Sequence, residues 1–376
     1  MNFKGLLLLL LPLSINAQSI EGTDYYLPKA AVRFTVKVEK TQYTPGKLAP
    51  YASRFLRTDV ELEPATTYRL LGVDMATYAL PDTSRHFTLI VDKKHSINKV
   101  CRADNGQLLA INADASATPT PMPSFKPGRK AALLNPQDFM TEDILNAGSN
   151  AKMAELAAQE IYDIRDSRNQ LNRGEADFMP KDGTQMAIML NNLSKQETAL
   201  TQLFTGVTVK DTTWTNIDFV PTQEGRQVLF RLSKWLGLVD ADDLSGEPYM
   251  ISVTDNHTVA APQPTAENKK EDKNDIGLRV CQPSKIQVAV THGQQVVVNG
   301  ELLAPQFGTI ESLSGELFGK KQSAKLILDP LTGGVKNIQA ITNNSHVANA
   351  TQPQRGNHPP PCGWLPLSLT PIMTSN

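Results

Sequence analysis

The 376-residue chain predicts an α+β fold, with antiparallel β-sheet or sandwich regions flanking a central antiparallel αα-hairpin. Three observations point there. Runs on either side of the middle alternate apolar and polar residues with the period of a half-buried strand, as in Val32, Phe34, Val36 and Val38. Between residues 149 and 204 the apolar residues recur at intervals of three and four, the period of a helix. The 25 prolines and 23 glycines supply the turns that a many-stranded protein needs.

Residues 1–17 read as a secretory signal peptide. Lys4 provides the positive start, residues 6–11 the apolar core, and Ile15-Asn16-Ala17 a cleavage site. The apolar run is too short for a permanent span, and no later stretch offers the roughly 20 apolar residues of a membrane helix. The expectation is export across the inner membrane, to the periplasm or cell surface, with no transmembrane segment.

Residues 18–113 are expected to form an N-terminal β-rich domain. Its first strand covers 31–40, and Thr44-Pro45-Gly46 turns the chain into a short helix bearing Leu48, Tyr51, Ala52, Phe55 and Leu56. Strands follow at 66–78 and 86–91, separated by Pro81-Asp82-Thr83-Ser84, and Asp104-Asn105-Gly106 makes a tight turn between two more, ending near Asn112. Residues 114–130, with Pro119, Pro121, Pro123 and Pro127, read as a linker that has too little apolar bulk to fold alone.

Residues 131–257 hold the helices and the strands after them. The first helix, 149–172, carries a stripe of Ala157, Ile161, Ile164, Arg168 and Leu171 and stops at Gly174. The second, 184–204, carries Met186, Leu190, Leu193, Glu197, Leu200 and Phe204 ahead of Gly206. The short connection implies an antiparallel pair. Arg168 and Glu197 interrupt the two stripes. In a simple hairpin they sit on the order of 15 Å apart along the axis, so each is expected at the edge of its stripe, facing solvent or a strand. A polar site between hairpin and sheet is the sharper alternative. Strands are expected at 205–220, 227–232 and 249–253.

Residues 258–275 are polar with mixed charge and read as a disordered loop. Residues 276–340 form a C-terminal β-rich region. There Ile286, Val288 and Val290 alternate, His292-Gly293-Gln294 turns, and 296–303 returns; 324–328 then pairs with 335–338. Residues 341–376, with Pro359-Pro360-Pro361, read as a disordered tail.

Charge is balanced, 37 basic against 38 acidic residues, so nothing draws the chain generally to nucleic acid or anionic membrane. There is no His-Glu-x-x-His, no Gly-x-Ser-x-Gly, and no phosphate-cradling glycine loop before Lys-Ser/Thr. The six histidines (His86, His95, His257, His292, His346, His358) are scattered and expected in exposed loops. Asp240, Asp242 and Asp243 space carboxylates as calcium ligands do, but Leu244 stands where a ligand is needed, so a plain acidic turn is expected. Trp214 and Trp235 are expected in the core, and Trp364 in the tail. Cys101, Cys281 and Cys362 make an odd set, with Cys101 and Cys281 as the candidate disulfide. No catalytic, cofactor-binding or metal-binding residue is assigned, and no cofactor.

Several stretches carry a resemblance. Thr23-Asp24-Tyr25-Tyr26-Leu27-Pro28-Lys29, then Val38-Glu39-Lys40-Thr41 and Tyr43-Thr44-Pro45-Gly46, are the first. Ala157 through Arg168, Lys195 through Leu200, Leu203-Phe204-Thr205-Gly206 and Gln306-Phe307-Gly308 complete the set. Together, from about residue 22 to 338, they resemble an uncharacterised exported family of Bacteroidales-type bacteria, domain of unknown function 4831. The resemblance implies a Gram-negative envelope setting and a β-rich fold with an inserted helical hairpin, and it implies no reaction. The expected role is a non-catalytic structural or protein-binding module whose partner is another envelope protein. The alternative is a periplasmic hydrolase or carbohydrate-active enzyme whose carboxylates meet only in the fold.

Overall fold

A computed structural model describes residues 22–122, 133–260, 274–320 and 323–341. The expected signal peptide, most of the loop at 258–275, the second half of the linker and the tail beyond 341 lie outside the described residues. Within them the chain is mostly antiparallel β-sheet with a few helices.

Two long strands dominate. β1 (Gly22–Thr44) and β2 (Ala65–Ile90) pair along almost their whole length, from Gly22 opposite Ile90 to Tyr43 opposite Ala65. The sequence reading divides β2 at Pro81-Asp82-Thr83-Ser84, and the structure corrects this. The segment bulges out of one continuous strand, and the register jumps from Tyr26 opposite His86 to Pro28 opposite Pro81. Asp82 organises the bulge by accepting from the Ser84 amide (3.1 Å) and hydroxyl (2.8 Å). Turn-forming residues thus fold back locally, while pairing on either side holds the strand direction.

β3 (Val100–Arg102) and β4 (Leu108–Ile111) form the small hairpin around Gly106, which has the left-handed φ of 83° that glycine tolerates. Helices follow: α1 (Ala52–Leu56) earlier in the chain, then α2 (Glu142–Leu145), α3 (Asn150–Arg173) and α4 (Gly183–Thr205). The remaining strands are β5 (Val207–Phe219), β6 (Gly225–Ser233), β7 (Gly237–Val239), β8 (Glu247–Asp255), β9 (Asp275–His292), β10 (Gln295–Ser314), β11 (Ser323–Leu328) and β12 (Val335–Ile341). The short β7 has no counterpart in the sequence reading, because three residues are too few to show a period.

Three sheets result, in the orders β2-β1-β5, β10-β9-β8-β6-β7 and β12-β11-β4-β3. Their strands interleave. β4, from the N-terminal region, pairs with β11 from the C-terminal region, and β5 pairs with β1 across some 180 residues of chain. The alternation read at 32–38 has a direct outcome. Val32, Phe34, Val36 and Val38 are buried against Phe230, Ile251, Val288 and Val290 of the five-stranded sheet. A second core gathers the other ends of the same long strands: Tyr25, Leu27 and Leu89 meet Leu278 of β9, Leu108 and Ile111 of β4, and Leu326 of β11, with Phe318 from the turn after β10.

The third core is helical. Ala157, Ile161 and Ile164 of α3 pack with Leu200, Leu203 and Phe204 of α4 and with Leu48, Ala52 and Leu56. Ser149 caps α3 by accepting from the Lys152 amide (3.2 Å), and Gly174 ends it at φ 73°. α4 differs from its expected form. Ala199, Leu200, Leu203 and Phe204 are buried, but nothing before them in the helix is.

Candidate functional site

That half-buried α4 explains the first site residues. Glu197 accepts from Arg165 Nε (2.6 Å) and pairs with Arg168 Nη1. The expectation that register keeps Arg168 and Glu197 apart is therefore wrong. It assumed that both helices begin level at the loop. The nine residues between α3 and α4 instead let α4 run on past the end of α3, so residue 197 lies level with 165–168. Arg165 also lies over the Tyr162 ring at 5.5 Å, and Tyr162 Oη donates to the Phe55 carbonyl (3.0 Å). The cluster fastens α3 to α4 and to α1.

The four described histidines each find a carboxylate. His95 Nδ1 is 2.6 Å from Asp92 Oδ1 and His292 Nε2 is 3.1 Å from Glu247 Oε2. His257 Nδ1 is 3.4 Å from Asp255 Oδ2, and His86 Nε2 is 4.0 Å from Asp24 Oδ1. His95 is half-buried rather than in an exposed loop, and His292 stacks on Tyr249 with centroids 4.5 Å apart. His346 and His358 lie outside the described residues.

One cluster assembles the residue types of a hydrolase. Ser284 is fully buried and donates to Asp255 Oδ1 (2.6 Å), and the His257 amide reaches the same oxygen (3.0 Å). The order is wrong for nucleophilic catalysis, where the imidazole stands between hydroxyl and carboxylate to take the proton. Here the carboxylate stands between. The Thr258 hydroxyl, 3.3 Å from Ser284 Oγ, accepts from the Lys285 amide (2.9 Å), so the group ties the end of β8 to β9.

Asp240, Asp242 and Asp243 form a turn: the Asp243 amide bonds the Asp240 carbonyl (3.1 Å), and the Ser245 amide bonds Asp243 Oδ1 (2.9 Å). That last bond holds the Asp243 carboxyl below its ordinary value. Among the described residues no three His, Cys, Asp or Glu side chains converge as metal ligands do. Cys281 is a free thiol facing the Pro305 carbonyl (3.4 Å), raised by burial, while Cys101 sits in another cluster with Leu109 and Ala110. The candidate disulfide between them is not formed.

Both described tryptophans correct the expectation of a core position. Trp214 is 41% exposed, because it pairs with Lys37 on the face of β1 opposite Val36 and Val38. Trp235 is 60% exposed at the turn between β6 and β7, under Lys234 Nζ at 4.8 Å. Trp364 is outside the described residues.

Two hollows remain. One of about 150 Å3 is lined by Phe219, Val220, Ile251 and Val253 together with the polar side chains of Thr222, Gln223, Glu224, Arg226 and Gln227. Another of about 450 Å3 is lined by Gly22, Thr23, Val91 and residues 97–100. Elsewhere, near the connection of the two helices, Phe178, Met179 and Ile188 are exposed.

The polar clusters thus join elements to one another, in a protein of mostly antiparallel β-sheet with a few helices. The family model of a domain of unknown function, DUF4831, matches residues 21–336, and the chain belongs to that family. No curated protein and no solved structure matches it.

Two of the stretches quoted in the sequence reading make contacts between elements. Gln306 donates to the carbonyls of Ala30 and Pro221 and accepts from the Ala30 amide, each at 2.9 Å. The Leu48 amide, just after Pro45-Gly46, bonds the Leu203 carbonyl at 2.7 Å. Both contacts join separate elements of the scaffold.

Proposed function

We propose that the protein is an exported, non-catalytic module that binds another protein of the cell envelope, in the periplasm or at the cell surface. In this reading, sandwich-like sheet regions form a rigid base and the central helical hairpin is the arm presented to the partner. One observation carries it. The distal half of α4 and the connection before it turn Phe178 (69% exposed), Met179 (40%) and Ile188 (56%) away from every core. Exposed large apolar side chains can serve as an interaction surface when they adjoin, and a methionine among them suits an adaptable one.

The test is a photo-crosslinking residue at position 188 in native cells, with position 159 on the exposed side of α3 as control. A discrete adduct at 188 that is absent at 159 is expected, in an envelope fraction. Indistinguishable patterns at the two positions, or the protein retained in the cytosol, would sink this reading.

A further inference from the structure

We infer that the loop between β6 and β7 is a contact point with the surface of a zwitterionic phospholipid bilayer. Trp235 and Leu236 enter the boundary between headgroups and acyl chains, and Lys234 stays among the phosphates. The loop belongs to the five-stranded sheet, so the inference stands independently of the helical arm.

Three observations meet there. The first is the display of two large apolar side chains side by side. Trp235 is 60% and Leu236 61% exposed, in the loop whose two ends, Ser233 and Gly237, are paired. Taking either out of water is favourable, and neither belongs to a core of the fold.

The second is that the loop is held in place. Ser233 is buried, and its Oγ accepts from the amides of both Trp235 (3.4 Å) and Leu236 (3.3 Å). The Lys234 carbonyl accepts from the Tyr68 amide of β2 (2.8 Å). Gly237 follows at φ 84°, and the Tyr68 ring stands 3.0 Å from where its Cβ would be. A fixed turn therefore presents the two side chains, and they bind without first paying to order it.

The third is what those bonds leave satisfied. An amide without a partner is costly in hydrocarbon. The amides of both apolar residues are already bonded from within, so they leave water without losing a hydrogen bond. A protein partner would offer polar groups that these amides no longer need, whereas the apolar side of a bilayer offers none. The side chains fit the same occupant. Tryptophan favours the membrane–water interface. Lys234, whose Nζ lies 4.8 Å from the Trp235 ring centre, has the reach to keep its ammonium at the phosphates while its stem lies along apolar surface. Charge selects the headgroup. Asp240, Asp242 and Asp243 come just after β7 and set carboxylates against Lys234, so a zwitterionic surface suits the loop better than an anionic one.

The experiment uses the protein purified from native cells with Trp214→Phe and Trp364→Phe, so that Trp235 alone among the tryptophans fluoresces. It is mixed with phosphatidylcholine vesicles brominated on their acyl chains. Trp235 emission is expected to move to the blue and to be quenched. In the otherwise native chain, Trp235→Ser with Leu236→Ser should lower vesicle retention on flotation about tenfold or more. If that variant loses its far-ultraviolet circular dichroism, the quenching of Trp235 decides alone. No quenching, or undiminished retention of the folded variant, would overturn the inference. So would retention on native envelope vesicles but not on protein-free ones, which would assign the loop to a protein partner.

Discussion

Tyr25 is fully buried in the second core, yet its hydroxyl is fully engaged: it accepts from the Arg279 amide (2.6 Å) and donates to the Gly277 carbonyl (3.0 Å). Burial pushes this phenol up to about 12 from its ordinary 10.0, against the opposing pull of the Arg279 hydrogen bond. A folded-state value above the unfolded one means that the fold prefers the protonated ring. The contribution is complete below pH 10 and is lost as pH rises toward 12, a shift worth about 2–3 kcal/mol. Denaturant unfolding at pH 9 and at pH 11.5 should reveal that loss, and Tyr25→Phe should shrink the difference between the two. Gly46 makes a second test at this scale. A Cβ there would run into the Leu203 carbonyl, whereas one at Gly148 would meet nothing within 4 Å. Gly46→Ala should cost about 2–3 kcal/mol, since two backbones must separate, while Gly148→Ala should stay within about 0.5 kcal/mol. Pro45-Gly46 is legible as a turn in the sequence. That its glycine is needed for a helix end arriving from residue 203 is not, because the contact spans about 157 positions of chain.

The helices show what periodicity reveals at the scale of an element and what it hides. The α3 stripe was readable, and Ala157, Ile161, Ile164 and Leu171 are all buried. The α4 stripe was equally regular, but only its last part is buried, because a period gives the direction of a side chain and not whether anything faces it. The same gap hid the pairing of Glu197 with Arg165 and Arg168, which depends on how far one helix slides past the other. Leu200→Ala should therefore cost about 2–5 kcal/mol, and Ile188→Glu, on the unburied half, should stay within about 0.5 kcal/mol. Equal losses for the two in urea unfolding would show that the distal half is packed after all. Hydrogen exchange should agree, with amides of residues 185–195 opening well before those of residues 157–164. Strands were legible where they alternate, as in β1, β6, β8 and the β9–β10 hairpin. β2 was misread as two strands because turn residues look alike in a turn and in a bulge.

At the scale of the molecule, β1, β2 and β9 each enter both sheet cores. A change in either core must then be felt along shared strands. Phe34→Ala in the first core and Leu326→Ala in the second should each cost about 2–5 kcal/mol, and each should move one common transition, seen alike by far-ultraviolet circular dichroism and tryptophan fluorescence. Two separable transitions would mean that the cores melt independently. This interleaving is the part of the fold that the sequence kept out of sight: strand existence is local, but strand partners are chosen across the whole chain.

The pairing of β1 with β5, and its burial under β8 and β9, also sets an order in time. β1 leaves the ribosome first with Val32, Phe34, Val36 and Val38 already in a row, and only β2 follows soon enough to cover an edge. Its inward face waits for residues near 230, 251 and 288. Through roughly two hundred further residues of synthesis this greasy ribbon has no home, so the nascent chain stays adhesive until nearly the last strand arrives. A protein so arranged depends on being held apart from its neighbours while it is made, and a chain cut short before β9 should precipitate instead of folding in part.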